Sequence, residues 1–375
     1  MRKTNLAMAF SDEQAMILDS AKAFCSDKST IAAVRNLLDS ETGFNPQEWQ
    51  EMVALGWTGI AIPEEYGGLN LGVGALVPLV ETMGRHLLGT PLISSALTAQ
   101  AILRSGTESQ RAAWLPALAD GAAGALALLD NVDWGGDFSG CTVSGSGDNL
   151  TLTGRKLMVA DGAVSDLFVV SASHAGQPVL VLVEAKQLPA GALESKTLID
   201  ETKRACNVDF SGVTVTSSAL LTPSASTLHE LRLIGALLTA AEATGTAAAA
   251  LDLIVSYLTT RVQFGRLIGS YQALKHPTVE ILLQMDAARS LIYHAATLIG
   301  DCPIDSNTEI ACRMAKAQAT EALLFAGDRA VQFHGGMGFT YDCDAQLYIR
   351  RAQWAQHQYG DAQHHRRKLA DLLLD

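Results

Sequence analysis

The sequence predicts a mainly helical α+β protein with a helical N-terminal domain, a central antiparallel β-barrel or sandwich, and a C-terminal antiparallel four-helix bundle. Three observations support this fold class. The 375 residues are enough for two or three packed domains. Apolar residues recur at intervals of three and four in the first and last thirds, whereas the middle third alternates apolar and polar residues. We place the domains at residues 1–122, 123–222 and 223–375.

The N-terminal domain carries several helix signals. Ser11 can cap a helix, and Gln14 can complete a capping box with it. The proline and paired glycines of residues 62–68 predict a turn. A later amphipathic helix begins near Thr107, and Pro116 is expected to interrupt it.

The middle and last thirds differ in their hydrophobic period. Short β-prone runs separated by turn residues predict antiparallel strands at residues 150–154, 167–172, 179–183 and 213–215. Long alanine-rich segments predict bundle helices at residues 231–258, 278–300 and 307–334. The order of helices, strands and helices is itself distinctive.

Composition excludes several classes of protein. Hydrophobic residues make up 48% and charged residues 18% of the chain, which excludes a disordered protein. A net charge of −12 argues against a nucleic-acid partner. The apolar run at residues 71–80 is too short for a membrane span, and the N-terminus lacks a signal-peptide pattern.

Cysteine and histidine usage indicates a reducing compartment and no metal site. The six cysteines form no C-x-x-C pair, and the nine histidines form no H-x-x-x-H or H-E-x-x-H motif. We therefore expect free thiols, a cytoplasmic location and no bound metal.

Four motifs occur in order along the chain, at residues 56–68, 114–121, 261–276 and 332–351. The third begins Arg261-Val262-Gln263-Phe264-Gly265, and the fourth begins Gln332-Phe333-His334-Gly335-Gly336. Together they resemble the acyl-CoA dehydrogenase family over essentially the whole chain. The resemblance implies the three-domain fold, bound FAD, a dimer or dimer of dimers, and oxidation of an acyl-CoA to its trans-2-enoyl product. It also implies that electrons leave through an electron-transfer flavoprotein.

The same residues suit a flavin nucleotide on physical grounds. An arginine forms paired hydrogen bonds to a pyrophosphate, and glycines let the backbone approach phosphate or ribose. Alone, Arg261 could equally be a cation that answers the dipole at a helix end. The resemblance assigns one group to one subunit and another to its neighbour. The first group is Arg261, Gln263 and Phe264, and the second is Gln332, Gly335 and Gly336. Gln272 and Gln363 complete the candidate cofactor-binding set.

The catalytic base departs from the family pattern. The family uses a carboxylate to remove the α-proton, and its two usual positions correspond here to Tyr359 and Gly235. Asp361 is a candidate substitute if the loop shifts locally, and otherwise a solvated or FAD-contacting side chain. Glu242 is a second candidate, but seven residues of helix place it about 10.5 Å from position 235, so a structural ion pair is the alternative. Tyrosine, with an ordinary pKa near ~10, is a poor base.

The flavin-facing segments of the middle domain also depart from the family. Residues 128–137 replace a Thr-Glu-Pro-Gly-like loop, and residues 156–160 replace a Lys-x-Trp-x-Thr strand, so hydroxyl contacts to a flavin ring are lost. Residues 200–203 resemble those of divergent bacterial members that form mixed-subunit complexes. We favour an autonomous acyl-CoA dehydrogenase with a displaced base such as Asp361. Two alternatives stay open: a base-lacking subunit of a heteromeric enzyme for bulky steroid-like or branched acyl-CoA, and a catalytically silent scaffold.

Overall fold

The computed structural model describes residues 12–131, 140–300 and 303–374. Ser11, the Gln14 side chain, Cys302 and residues 132–137 of the predicted flavin-facing loop lie outside the described part. Elements run from helices to strands and back to helices, as the sequence predicts. The changes of type fall between Ala119 and Gly124 and between Leu221 and Thr227, and the domain limits themselves stay predictions.

The described part of the N-terminal region contains six α-helices. They are α1 (Asp12–Lys28), α2 (Ile31–Leu37), α3 (Pro46–Ala54), α4 (Leu76–Arg85), α5 (Leu92–Ser105) and α6 (Glu108–Ala119). Thr107 caps α6 in a capping box with Gln110. The expectation that Pro116 interrupts this helix is wrong, because α6 continues to Ala119. A proline removes only its own N–H, and Pro116 lies so close to the end of the helix that few bonds are affected.

The central strands form two sheets. The strands are β1 (Gly124–Ala127), β2 (Thr142–Ser146), β3 (Asn149–Thr153), β4 (Arg155–Ala160), β5 (Leu167–His174), β6 (Gln177–Glu184), β7 (Leu193–Ser195), β8 (Ala205–Asp209), β9 (Val213–Val215) and β10 (Leu220–Leu221). The larger sheet has the order β10-β6-β5-β2-β3-β9, with β1 also paired to β5, and the smaller has the order β4-β8-β7. Pairing is antiparallel except where β1 and β2 join β5 in parallel. Phe168 and Phe210 contact edge to face in the apolar core of this domain.

The C-terminal region is a bundle of long helices followed by two shorter ones. They are α7 (Thr227–Thr260), α8 (Gln272–Leu298), α9 (Ser306–Phe333), α10 (Ala345–His357) and α11 (Ala362–Leu374). Helix α8 begins six residues earlier than predicted and passes through Pro277, which lies near its first turn. Helix α7 alone among the described helices is long and apolar enough to cross a membrane, but its apolar window is wholly buried within the fold. We therefore describe it as a core helix.

Close helix contact fixes the N-terminal region to the bundle. A Cβ at Gly245 of α7 would lie 1.8 Å from the carbonyl oxygen of Glu81 on α4, so only glycine fits there. One residue on, Thr246 donates to the carbonyl oxygen of Gly84 at 2.9 Å. The two helices meet almost backbone to backbone, and this contact places the adjoining stretch of α7.

A buried charge network fixes the β-domain to the bundle. Arg351 of α10 donates from Nε to Asp200 Oδ2 at 2.5 Å, and its Nη1 lies 3.1 Å from Glu242 Oε1. Lys203 also pairs with Glu242, at 2.5 Å. The side chains of Arg351, Asp200 and Glu242 are 0%, 1% and 4% exposed. Glu242 is therefore a member of a structural ion network, the alternative that the sequence left open for it.

Candidate functional site

The two positions that the resemblance assigns to a catalytic base, Gly235 and Tyr359, meet in space. A Cβ at Gly235 of α7 would lie 2.6 Å from the Cε1 and Cζ atoms of Tyr359. The phenol ring therefore occupies the volume in which a side chain at position 235 would stand. Burial raises the pKa of Tyr359 well above its usual range, and the charge of Asp161 adds to the effect. Neither position offers a carboxylate, and the raised pKa keeps the Tyr359 phenol protonated near neutral pH, so it does not serve as a base.

A buried lysine donates hydrogen bonds to the backbone of the turn that carries Tyr359. Tyr359 and Gly360 both have positive φ, 56° and 98°. Lys316 of α9, which is fully buried, donates to the carbonyl oxygen of Gly360 at 2.8 Å and to that of Gln356 at 3.4 Å. Burial lowers the pKa of Lys316 to about 7, although the charge of Asp361 opposes the shift. The turn is thus fixed by hydrogen bonds to its backbone.

Asp361 has a local structural role in this turn. Its Oδ1 accepts from the backbone N–H of His364 at 2.7 Å, which is the geometry of an N-cap for α11. The side chain is exposed, and it is absent from the linings of the cavities beside Tyr359. The loop shift that a base at Asp361 would require is not seen here, and the catalytic role stays a prediction.

An apolar cavity of about 70 Å³ lies on the β-domain side of Tyr359. Its walls are Leu126, Leu128, Leu129, Leu157, Met158, Ala160, Arg232, Gln358 and Tyr359. It shares Met158 and Gln358 with an open groove of about 430 Å³ that runs along Ile199 and Trp354. Gln358 lines both spaces, and its buried Nε2 has no hydrogen-bond partner among the described residues.

A larger cleft of about 300 Å³ lies on the opposite side of Tyr359, between α7, α9 and α11. Its walls are rich in basic groups: His229, Arg232, Arg313, His364, His365 and Lys368, with Glu309 and Asp371 as the acids. We call it the cationic cleft.

Hydrogen bonding leaves one imidazole nitrogen of the cationic cleft unsatisfied. Arg313 binds Glu309 at 2.7 Å and lies 3.4 Å from Nδ1 of His365. Nε2 of His365 is buried with no partner among the described residues. Burial lowers the pKa of His365 to about 2, helped by the charges of Lys316 and Arg313. His365 is therefore a neutral imidazole, and the cleft has room for the anionic group that its arginine and lysine side chains attract.

The first predicted nucleotide motif forms a tight β-hairpin at the end of α7. Arg261 ends the helix, and Gln263 pairs with Arg266 across the turn. Phe264 and the glycine after it have φ of 53° and 78°, as a two-residue hairpin turn requires. Phe264 is 90% exposed. Arg261, Gln263 and Gln272 are also exposed, so all of them are available to a ligand or a second chain.

The second predicted nucleotide motif lies at the same end of the bundle. His334, directly after α9, stacks on Tyr257 of α7 with ring centroids 4.2 Å apart. Gln332, Gly335 and Gly336 are exposed, and a Cβ at either glycine would meet no atom within 4 Å. The structure therefore brings both motifs together at one end of the bundle, whereas Gln363 lies apart on α11. Which of two subunits supplies each group stays a prediction.

Several residues of the site were missed by reasoning from sequence. Arg232 lines both the apolar cavity and the cationic cleft. Lys156 pairs in the β-domain interior with Asp130 at 2.5 Å and fixes the strand beside the apolar cavity. The spacing of His364, His365 and Lys368 along α11 would have indicated a basic helix face, but their partners come from distant segments. Among the described residues, no cluster of His, Cys, Asp or Glu could hold a metal ion.

The three-part fold carries exposed nucleotide motifs at one end of the bundle and two cavities around Tyr359, and two family models match the chain. "Acyl-CoA dehydrogenase, N-terminal domain" matches residues 11–122, and "Acyl-CoA dehydrogenase, C-terminal domain" matches residues 229–374. The chain belongs to the acyl-CoA dehydrogenase family. This confirms both the family and the fold class predicted from sequence.

Individual relatives cover almost the whole chain. "Acyl-CoA dehydrogenase IpdE2" of Mycolicibacterium smegmatis is 28% identical over 361 residues, which is 96% of this chain and 98% of that protein. A solved "Tcur3481-Tcur3483 steroid ACAD" has a TM-score of 0.86 and 30% identity over 96% of this chain and 98% of its own. A solved "Electron transferring flavoprotein of Acidaminococcus fermentans" has a TM-score of 0.88 and 28% identity over 98% of this chain and 100% of its own.

Proposed function

We propose that this chain is the base-lacking subunit of a heteromeric, FAD-dependent acyl-CoA dehydrogenase, in which a paralogous chain supplies the catalytic carboxylate. The reaction is α,β-dehydrogenation of an acyl-CoA to its trans-2-enoyl product. The observation that carries the proposal is the contact between Tyr359 and Gly235, because it fills both usual base positions without a carboxylate. The geometry thus favours the heteromer over the autonomous enzyme.

The two candidate substitutes for that carboxylate, Glu242 and Asp361, do not replace it. Burial acts to raise the pKa of Glu242, but the charges of Lys203 and Arg351 outweigh it and the pKa falls below its usual range. A carboxylate stabilised in this way is a poor proton acceptor. Asp361 is engaged as a helix cap on the solvent side of the turn. Neither Glu242 nor Asp361 is therefore placed to accept the α-proton of a thioester.

The residues present fit a flavin nucleotide in part. The exposed Arg261 guanidinium suits a pyrophosphate, and the open space over Gly335 and Gly336 leaves room for a close backbone approach. The apolar cavity and its adjoining groove can pack a ring, and the unpartnered Nε2 of Gln358 can donate to it. Bound FAD would supply the acceptor for the hydride that leaves the β-carbon.

The substrate is an acyl-CoA whose acyl group is bulky, steroid-like or branched. The designation of the similar Tcur3481-Tcur3483 protein as a steroid ACAD, with two gene products in its name, supports both the acyl class and the two-chain assembly. Similarity to a chain in an electron transferring flavoprotein structure supports a flavoprotein as electron acceptor. We place the complex in the cytoplasm, consistent with the five described cysteines, which are free and buried.

The test compares the chain alone with the chain co-expressed beside a family member that has glutamate at a usual base position. We expect flavin absorbance that acyl-CoA bleaches in the complex, and no bleaching by the chain alone. Arg261→Ala should lower the flavin content of the complex severalfold. Arg266→Ala is the matched control from the same hairpin, since its guanidinium stacks on Tyr271 at 4.0 Å.

Three outcomes would contradict the proposal or its nucleotide site. Bleaching of the purified single chain by acyl-CoA would restore the autonomous enzyme. A chain that stays colourless with every partner would indicate a silent scaffold. Unchanged flavin content in Arg261→Ala would refute the assignment of the nucleotide site.

A further inference from the structure

The ring of Tyr359 stands between two cavities that would otherwise communicate. It lines the apolar cavity together with Leu129 and Met158, and it lines the cationic cleft together with Arg313. A second residue, Arg232, contributes to both walls, which shows that the cavities lie side by side. Tyr359 is therefore part of the partition between an apolar space and a basic one.

The ring cannot move aside easily. On one face it contacts α7 so closely that a Cβ at Gly235 would lie 2.6 Å from it. Its backbone is held in the left-handed region, with φ of 56°. The next residue, Gly360, is tied by its carbonyl to the fully buried Lys316 at 2.8 Å. A rigid turn and a flat helix surface together fix the aromatic ring in one place.

An acyl-CoA would need the passage that this ring fills. Its phosphates suit the arginine and lysine side chains of the cationic cleft, and its acyl chain suits the apolar cavity. The pantetheine arm and the thioester join these two parts, so this linking segment would have to cross the partition. In this chain the partition is a phenol ring that leaves no space above Gly235.

We propose that Tyr359 closes the passage between the cationic cleft and the apolar cavity to acyl groups, so that the cationic cleft accepts coenzyme A without admitting the acyl chain. This inference rests on the proposed function. The paralogous subunit then provides the cleft in which dehydrogenation occurs. Gly235 and Tyr359 act as a pair, since the glycine makes the space that the ring fills.

The experiment measures binding of coenzyme A and of octanoyl-CoA to the full-length chain by isothermal titration calorimetry. In the unaltered chain the two ligands should bind with Kd values within about twofold of each other, since the acyl chain contributes no buried contact. In Tyr359→Ala, octanoyl-CoA should bind about tenfold or more tightly than coenzyme A, because burial of a few methylene groups suffices for that ratio. Tyr359→Phe keeps the ring and should behave like the unaltered chain.

Circular dichroism and thermal unfolding establish that each variant folds, and Tyr359→Val serves if the alanine variant does not. A preference for octanoyl-CoA of tenfold or more in the unaltered chain would overturn the proposal. Equal affinities in the folded alanine or valine variant would do the same. Absence of coenzyme A binding by every variant would also overturn it, because the proposal needs an occupied cationic cleft. Since flavin bleaching by the heteromer is measured separately, failure here leaves the proposed function standing.

Discussion

Replacing Arg351 with methionine tests how strongly the buried charge network holds the β-domain to the bundle. The guanidinium is fully buried and pairs with Asp200 at 2.5 Å and with Glu242 at 3.1 Å. Lys203 pairs with Glu242 as well. The network therefore contains two cations and two carboxylates, and the substitution leaves two buried carboxylates with one cation. Methionine retains much of the apolar volume of the arginine stem, so the loss is mainly electrostatic.

The size of the effect follows from this imbalance. Removing one partner of a buried ion pair typically costs about 3–5 kcal/mol, because the other charge stays desolvated. Lys203 still compensates Glu242, so Asp200 is the group left without its partner. We expect the free energy of unfolding to fall by about 3 kcal/mol or more, and the urea midpoint to fall by about 1 M or more.

The assay is urea unfolding followed by both circular dichroism and tryptophan fluorescence. Arg366→Met is the matched control, because Arg366 pairs with Glu321 on the surface with side chains 55% and 43% exposed. An exposed pair contributes about 0–1 kcal/mol, so the control should unfold close to the unaltered chain. The double variant Arg351→Met with Glu242→Gln should lose less than the sum of the single variants, since neutralising Glu242 relieves part of the imbalance.

A loss in Arg351→Met no larger than that in Arg366→Met would refute this reasoning. It would mean that solvent or a shift of the loop around Asp200 satisfies the carboxylates. Strictly additive losses in the double variant would show that Glu242 and Arg351 are not energetically coupled.

Three further predictions concern single groups near the site. Burial raises the pKa of Asp161 to about 6, so the folded chain binds this proton more tightly than the unfolded chain and stability falls as pH rises from about 4 to 6. Asp161→Asn, which tolerates the φ of 55°, should remove that fall when urea unfolding is compared at pH 4.5 and 6.5. A pH-independent difference between the variant and the unaltered chain would contradict this prediction. Burial lowers the pKa of Lys316 to about 7, so the unfolded chain binds more protons above that pH and the free energy of unfolding should rise towards pH 9. Lys316→Met should abolish this rise. A rise that persists in the variant would show that a group other than Lys316 causes it. Asp361→Asn should keep the helix cap and the activity of the proposed heteromer, whereas Asp361→Ala should lose about 1 kcal/mol of stability. Loss of activity in the asparagine variant, with flavin retained, would identify Asp361 as the base.

Much of the fold follows from hydrophobic period alone. The runs at residues 167–172 and 179–183 became β5 and β6, and the segment at residues 307–334 became α9 within one residue at each end. Local rules failed at Pro116 and Pro277, because tertiary packing tolerates one missing hydrogen bond inside a helix. The hydrophobic period predicts which face of a helix or strand is buried. It does not show whether a helix can continue through a proline that removes one backbone hydrogen bond.

The site was predictable where its residues are adjacent in sequence and not where distant segments meet. The hairpin at Arg261 and the glycines after α9 are visible as motifs. The contact between Gly235 and Tyr359 joins residues more than a hundred positions apart. The sequence motifs show only that neither position has a carboxylate, and they do not show that the two residues touch. The role of Lys316 was equally hidden, because a lysine in an alanine-rich helix is usually a solvated side chain.

Large apolar side chains are exposed near the two nucleotide motifs, at the end of the bundle where α7 and α9 terminate, and they affect the stability of the unassembled chain in the cell. Phe264, Phe339, Met337 and Tyr341 are 90%, 75%, 61% and 57% exposed in the single chain. Large exposed aromatic and thioether groups are features that chaperones and proteases recognise in unassembled proteins. In the proposed heteromer, we expect an excess of this chain over its partner to be degraded or to aggregate, so that synthesis of the two chains would have to be matched in amount.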